Sequence, residues 1–347
     1  MLPQYKGNRT RTSFTNDAWR ALSLDQAHVV NPAGYYPDEG LIAAVNVALT
    51  LNQPLLVTGE PGTGKTQLAS SVAWEMGLAP PFRFETKSSS EAKDLFYSYD
   101  NLGRFQETYE RLGAAINKGS TGQGATKSRA RKEYVTYNAL GLAIIYSNAR
   151  DRYADWLPEQ FDYQDPMRSV VLIDEIDKAP RDFPNDVLSE LGEDMYFRVP
   201  ELGMGNERIS VDPGMRPIVI ITSNAERKLP DAFLRRCVYY NIPFPKETHL
   251  RKIISARLSF DEDDLPESHL RAALELFFEL RKAKLQKAPS TSELLGWLSF
   301  LIKRVAFEPG KSLLEHKPII LQSLGTLVKN PEDMSRALDI ANRKSSS

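Results

Sequence analysis

Cysteine is nearly missing from the 347 residues, with Cys237 standing alone. One thiol excludes an internal disulfide and any cysteine-based zinc cluster, and it fits a reducing compartment. Histidine is almost as scarce. His28, His249, His269 and His316 are scattered and form no metal-ligand spacing. No apolar run approaches the ~20 residues of a membrane helix, and Met1-Leu2-Pro3-Gln4-Tyr5-Lys6 carries no apolar signal core. The expectation is a cytoplasmic protein with no membrane partner. An excess of charge is lacking too: 44 Lys plus Arg stand against 45 Asp plus Glu, a net charge of −1. That balance gives no electrostatic case for nucleic acid as the default partner. Internal repeats are absent.

What is present suits a soluble globular chain, with 41% hydrophobic residues and enough length for roughly two domains. Residues 1–36 are largely polar, carry the turn formers Asn31-Pro32-Ala33-Gly34, and read as an N-terminal arm. From Pro37 to Leu51 the apolar residues Leu41, Ile42, Val45, Ala48 and Leu51 recur at helical spacing. Strand and helix signals then alternate. Strands are expected at 54–58, 82–84, 169–173, 217–222 and 238–242, with helices at 65–76, 182–191 and near Asp231. This order predicts a five-stranded parallel sheet covered by helices on both faces. Beyond Pro243-Phe244-Pro245 the strand signals stop, and five helices are expected between Lys246 and Asn342. The predicted division is an arm at 1–36, an α/β domain at 37–244 and a smaller helical domain at 245–347. A Gly-rich basic loop at 118–132 could touch phosphates or an acidic partner, but its composition reads better as a mobile solvated loop. The tail from Lys344 to Ser347 reads as frayed.

Gly59-Glu60-Pro61-Gly62-Thr63-Gly64-Lys65-Thr66 fits G-x-x-x-x-G-K-[ST] in full. The glycines let the backbone turn tightly, so that successive N–H groups face one centre and hold phosphate oxygens. A helix starts there and adds its positive end. Lys65 is placed to reach the outer phosphates of ATP, and the Thr66 hydroxyl to help hold Mg2+. Val170-Val171-Leu172-Ile173-Asp174-Glu175 is the second element. Its apolar run buries a strand on both faces and delivers Asp174 to the magnesium and Glu175 to an attacking water.

The third element, Pro217-Ile218-Val219-Ile220-Ile221-Thr222-Ser223-Asn224, is another buried strand. It offers Asn224 to polarise the water together with Glu175; a turn asparagine is the plainer alternative. The fourth is Leu229-Pro230-Asp231-Ala232-Phe233-Leu234-Arg235-Arg236-Cys237. Arg235 and Arg236 close a short helix, and a neighbouring subunit's site is their natural target. An arginine supplied across an interface is worth ~10³–10⁵ in rate. The alternative is an ordinary pair of cations at a helix end.

These four elements, in this order, resemble the AAA+ superfamily of P-loop NTPases, and the chain is most similar to its MoxR branch. The likeness to that branch rests on Lys87–Leu95 followed by Tyr99–Phe105, on Ile173–Pro180, and on Leu188–Leu191 through Tyr196–Val199 to Arg208–Val211. It implies a small hairpin inserted in the second helix, a hairpin before the sensor strand and a helical lid. It further implies hexameric rings, ATP-driven remodelling of client proteins, and a von Willebrand factor A-domain partner. Carried over, Lys65 and Thr66 bind nucleotide and magnesium, Asp174 and Glu175 are the Walker B acids, Asn224 is sensor 1, and Arg236 is the arginine finger with Arg235 beside it. One departure stands out. Where the family often places a lid arginine, this chain has Ser290 and Thr291. Either another cation takes over, Arg235 being the one named, or the coupling of nucleotide to lid is altered. Two other functions compete with a protein remodeller: a nucleic-acid-directed motor using the 118–132 loop, and an ATP switch in a bacterial defence or stress system.

Overall fold

The computed structural model describes residues 4–8, 32–117, 130–163, 165–192, 194–258, 265–304 and 313–344. Most of the arm, residues 118–129 of the basic loop and the tail from Ser345 lie outside the described residues.

Helix α1 (Glu39–Leu51) starts at Asp38, whose carboxylate accepts from the Leu41 amide at 2.9 Å and caps the first turn. Strand β1 (Leu55–Gly59) leads into α2 (Lys65–Glu75), followed by β2 (Phe82–Glu85). An insertion then comprises β3 (Tyr97–Tyr99), α3 (Asn101–Asn117) and β4 (Val135–Tyr137), ahead of α4 (Ala139–Tyr146). Strand β5 (Val170–Asp174) and α5 (Phe183–Glu190) are followed by the short pair β6 (Tyr196–Phe197) and β7 (Ile209–Ser210). Then come β8 (Ile218–Ser223), α6 (Asp231–Leu234) and β9 (Val238–Ile242). The rest is helical: α7 (Glu247–Arg257), α8 (Glu267–Lys282), α9 (Thr291–Arg304), α10 (Lys317–Ser323) and α11 (Pro331–Lys344).

The expected sheet is present. Five strands run parallel in the order β2-β5-β8-β1-β9. Period-2 alternation sends Leu56, Val171, Ile173, Val219 and Ile221 into a core with α4 and α5. Their neighbours Leu55, Val57, Val170, Leu172, Ile218 and Ile220 pack into a second core with α1 and α2. Both faces are therefore dry, as continuous apolar strands require. A third cluster, from Leu250 to Ala341, is helical, with buried Trp297 donating its indole N–H to Ser323 Oγ at 2.8 Å.

Three expectations change in detail. The insertion is not a small local hairpin: β3 pairs antiparallel with β4, Tyr97 opposite Tyr137, and α3 lies in the connection between them. Gly141 makes its packing possible, since a Cβ there would stand 2.0 Å from the Phe96 carbonyl oxygen. The helix expected at 318–328 ends at Ser323 and tightens into a 3-10 turn over Leu324–Thr326. The described start of the arm is docked: the Tyr5 amide donates to Asn46 on α1 at 3.0 Å, and its hydroxyl lies 3.0 Å from Ser71 Oγ on α2. Strands β6 and β7 pair antiparallel, Tyr196 opposite Ser210, ahead of β8.

Cys237 lies just before β9, and burial pushes its thiol up to about 12. So little thiolate at pH 8 makes the thiol unreactive. In the native protein Cys237 is expected to react with DTNB at least tenfold more slowly than in guanidinium; equal rates would show that this segment is open.

Candidate nucleotide site

All five parallel strands end on one side, where ligands of such sheets bind. There β1 passes into a loop whose Gly62 and Gly64 sit at φ 79° and 89°, a region side chains disfavour. Space is equally restrictive at Gly62, where a Cβ would come within 2.6 Å of Ser292 Oγ on the lid. Lys65 opens α2, and its ammonium donates to the carbonyls of Gly59 at 2.8 Å and Glu60 at 3.0 Å. Burial lowers its pKa, opposed by Asp177, Asp174, Glu175 and Glu60.

Asp174 ends β5 and is 4% exposed. Its carboxylate accepts from Thr66 Oγ1 at 3.0 and 3.2 Å, from Thr222 Oγ1 at 2.6 Å and from Arg83 Nη2 at 2.8 Å. Two oxygen donors, Thr66 and Asp174, thus meet from facing elements. That donor set fits a magnesium ion taking its other ligands from phosphate and water. Glu175 follows at φ 56°, an uncommon left-handed setting for a carboxylate residue. Its amide donates to Thr222 Oγ1 at 2.9 Å. One carboxylate oxygen accepts from Asn224 Nδ2 at 3.1 Å, and the other pairs with Lys178, whose pKa this partner raises. Asp177 accepts from the Asn224 and Glu226 amides at 3.3 and 2.9 Å, fixing the turn that carries Asn224.

These groups share a cavity of about 1040 Å³. Pro61, Gly62, Thr63, Gly64, Lys65, Thr66, Asp174, Glu175, Thr222 and Asn224 line it from the sheet domain, and Thr291 and Ser292 from the lid. Gly59 and Glu60 lie behind the loop. The Glu60 carboxylate turns to the lid, where Arg281 Nη2 donates to it at 2.8 and 3.1 Å. Ser290 caps α9 through a reciprocal pairing with Glu293: its amide donates to Oε2 at 2.7 Å, and the Glu293 amide donates back to Oγ at 3.4 Å. Arg235 and Arg236 are exposed and stand outside the cavity lining. Arg235 therefore cannot stand in for a lid cation within its own site. The lid arginine that does line the cavity is Arg257.

Sequence reasoning missed Arg83, Asp177, Lys178 and Arg257. The alternation Phe82-Arg83-Phe84-Glu85 would have put Arg83 and Glu85 on one face, beside the Walker B strand. Nothing in the spacing of Arg257 marks it.

Residues 55–245, more than half of the chain, match the model of the ATPase family associated with various cellular activities (AAA). Among curated proteins none matches the chain. With a five-stranded parallel sheet covered by helices and a helical C-terminal region, this chain belongs to the ATPase family associated with various cellular activities.

Proposed function

We propose that the chain hydrolyses ATP within a homo-oligomeric, hexameric ring of MoxR type and uses that cycle to remodel or activate client proteins, with a von Willebrand factor A-domain protein as partner. The division of labour is an arm at 1–36, a nucleotide-binding domain at 37–244 and a lid at 245–347. The observation that carries hydrolysis is the contact of Asn224 with Glu175 at 3.1 Å, in the same cavity as Lys65, Thr66 and Asp174. A water at that end of the cavity would give its proton to the Glu175 carboxylate while Asn224 keeps the carboxylate in place. Lys65 and the loop amides hold the outer phosphates. Thr66 and Asp174 would hold Mg2+, which neutralises phosphate charge when bound. The order of motifs, the β3–β4 insertion and the β6–β7 hairpin support the MoxR reading. Client contact is supported by α3 in the insertion, which exposes Leu102, Phe105 and Tyr109 at helical spacing, 62–75% accessible.

Replacing Lys65 with Ala removes the buried cation of the loop. Binding of a fluorescent ATP analogue should weaken at least 100-fold; retained affinity would detach this loop from the ligand. In Glu175→Gln the side chain keeps its size but cannot accept the proton. ATP should stay bound, phosphate release should fall at least 100-fold, and the ATP-loaded oligomer should persist in size-exclusion chromatography. Wild-type phosphate release by this variant would rule Glu175 out as the base, and silence of the wild type would favour an ATP switch. For Arg236→Ala, turnover should drop ~10³-fold or more with ATP affinity held within threefold. Mixing it with the Lys65→Ala chain should restore part of the activity, because that chain brings an intact Arg236 to its neighbour's site. Undiminished turnover in Arg236→Ala alone would end its assignment as the finger.

A further inference from the structure

Arg257, the last residue of α7, is half-buried and lines the nucleotide cavity. Its guanidinium donates to the side-chain oxygen of Gln67, in the turn of α2 that opens with Lys65 and Thr66. Its stem packs on the 32–34 turn, 3.6 Å from where a Cβ on Gly34 would stand. Two other lid arginines have carboxylates: Arg251 pairs with Glu247 and Glu267, and Arg281 with Glu60. Among the described residues Arg257 has no carboxylate in an ion pair. Burial lowers its pKa, with Tyr35 pulling the other way. A cation at a helix C-terminus interacts with the dipole anyway, but for that purpose it would stay solvated. Among the described residues its acceptor in the cavity is one neutral amide oxygen, which supplies none of the counter-charge that a half-buried guanidinium needs.

The start of α9 does not compete for this role. Ser290 is committed to its cap, and Thr291, 5% exposed with its hydroxyl unpartnered, offers no charge. The direction of reach matters as well. Gln67, Tyr35 and Gly34 surround Arg257, whereas Asp174, Glu175 and Asn224 mark the hydrolytic end.

We infer that Arg257 is the lid's nucleotide-binding cation, holding an inner phosphate, carried by ADP as well as ATP, against the first turn of α2. This rests on the reading of the cavity as a nucleotide site. A planar guanidinium can bridge Gln67 and a phosphate oxygen at once, tying lid to loop in both nucleotide states.

The test is binding of fluorescent ATP and ADP analogues to full-length wild type, Arg257→Gln, Arg257→Lys and Lys65→Ala, with melting of each nucleotide-free protein. Arg257→Gln should weaken ATP and ADP by the same factor, roughly 10–100-fold. Arg257→Lys should recover part of the loss, and the nucleotide-free melting temperatures should agree. Affinities for both nucleotides within twofold of wild type would overturn the assignment, as would a loss confined to ATP, or a fall in nucleotide-free melting temperature with affinity unchanged. Wild type that binds neither analogue, or Lys65→Ala that binds as well as wild type, would instead sink the nucleotide site itself. Lys65→Ala losing binding while Arg257→Gln keeps it would remove only Arg257.

Discussion

The buried Asp174 carboxylate is the constraint on which the site depends. A charge that is 4% exposed must be met by donors or it neutralises. Here the donors come from three separate elements: Thr66 on α2, Thr222 on β8 and Arg83 on β2. Satisfying one carboxylate therefore fixes the carboxyl ends of three strands and the first turn of the P-loop helix together. Thr222 carries the order one step further, since its oxygen accepts the Glu175 amide. That bond holds Glu175 in its left-handed setting and aims it at Asn224.

How much of this could be read beforehand follows the range of each signal. Val170–Ile173 and Ile218–Ile221 announce a doubly covered sheet because four apolar residues in a row leave no solvent face. That the Gly59–Thr66 loop and the Asp174–Glu175 pair meet at one cavity was legible because the motif fixes residue types at fixed spacing. The resemblance implied an insertion but not its pairing, because Tyr97–Tyr99 meets Val135–Tyr137 across a long connection and no local pattern encodes it. Arg83 and Arg257 escaped for a related reason. Each reaches the site from an element with no motif of its own, so only the packing of β2 beside β5, and of α7 above α2, gives them a role.

The lid is fastened to the P-loop by contacts that a departure in sequence might have suggested were lost. Arg281 is only 14% exposed, stacks 3.4 Å from the centre of the Phe244 ring, and forks onto the Glu60 carboxylate. The arginine is held in place by its ring contact, while the Glu60 side chain is 50% exposed, so solvent screens the pair from that side. Beside it, Gly62 lies so close to Ser290 and Ser292 that no side chain fits between loop and lid. A shift of the loop around phosphates thus presses directly on α9. Coupling can run through the loop itself, and the serines at the lid position are then a consequence of close approach rather than a gap.

Charge placement also says where the site is incomplete. Among the described residues lining the cavity, the lysines are Lys65, in the first turn of α2, and Lys246, just before α7, and the one arginine, Arg257, sits toward Gln67; Lys178 is paired with Glu175. Arg83 is spent on Asp174 and Glu85. Hydrolysis would spread negative charge over the outer phosphate, and a guanidinium brought to it would stabilise that charge further. Arg235 and Arg236 cannot supply it within one chain, because they stand exposed outside the lining. A second copy presenting that helix end to the cavity would add a guanidinium there, which is the part the proposed ring gives to Arg236.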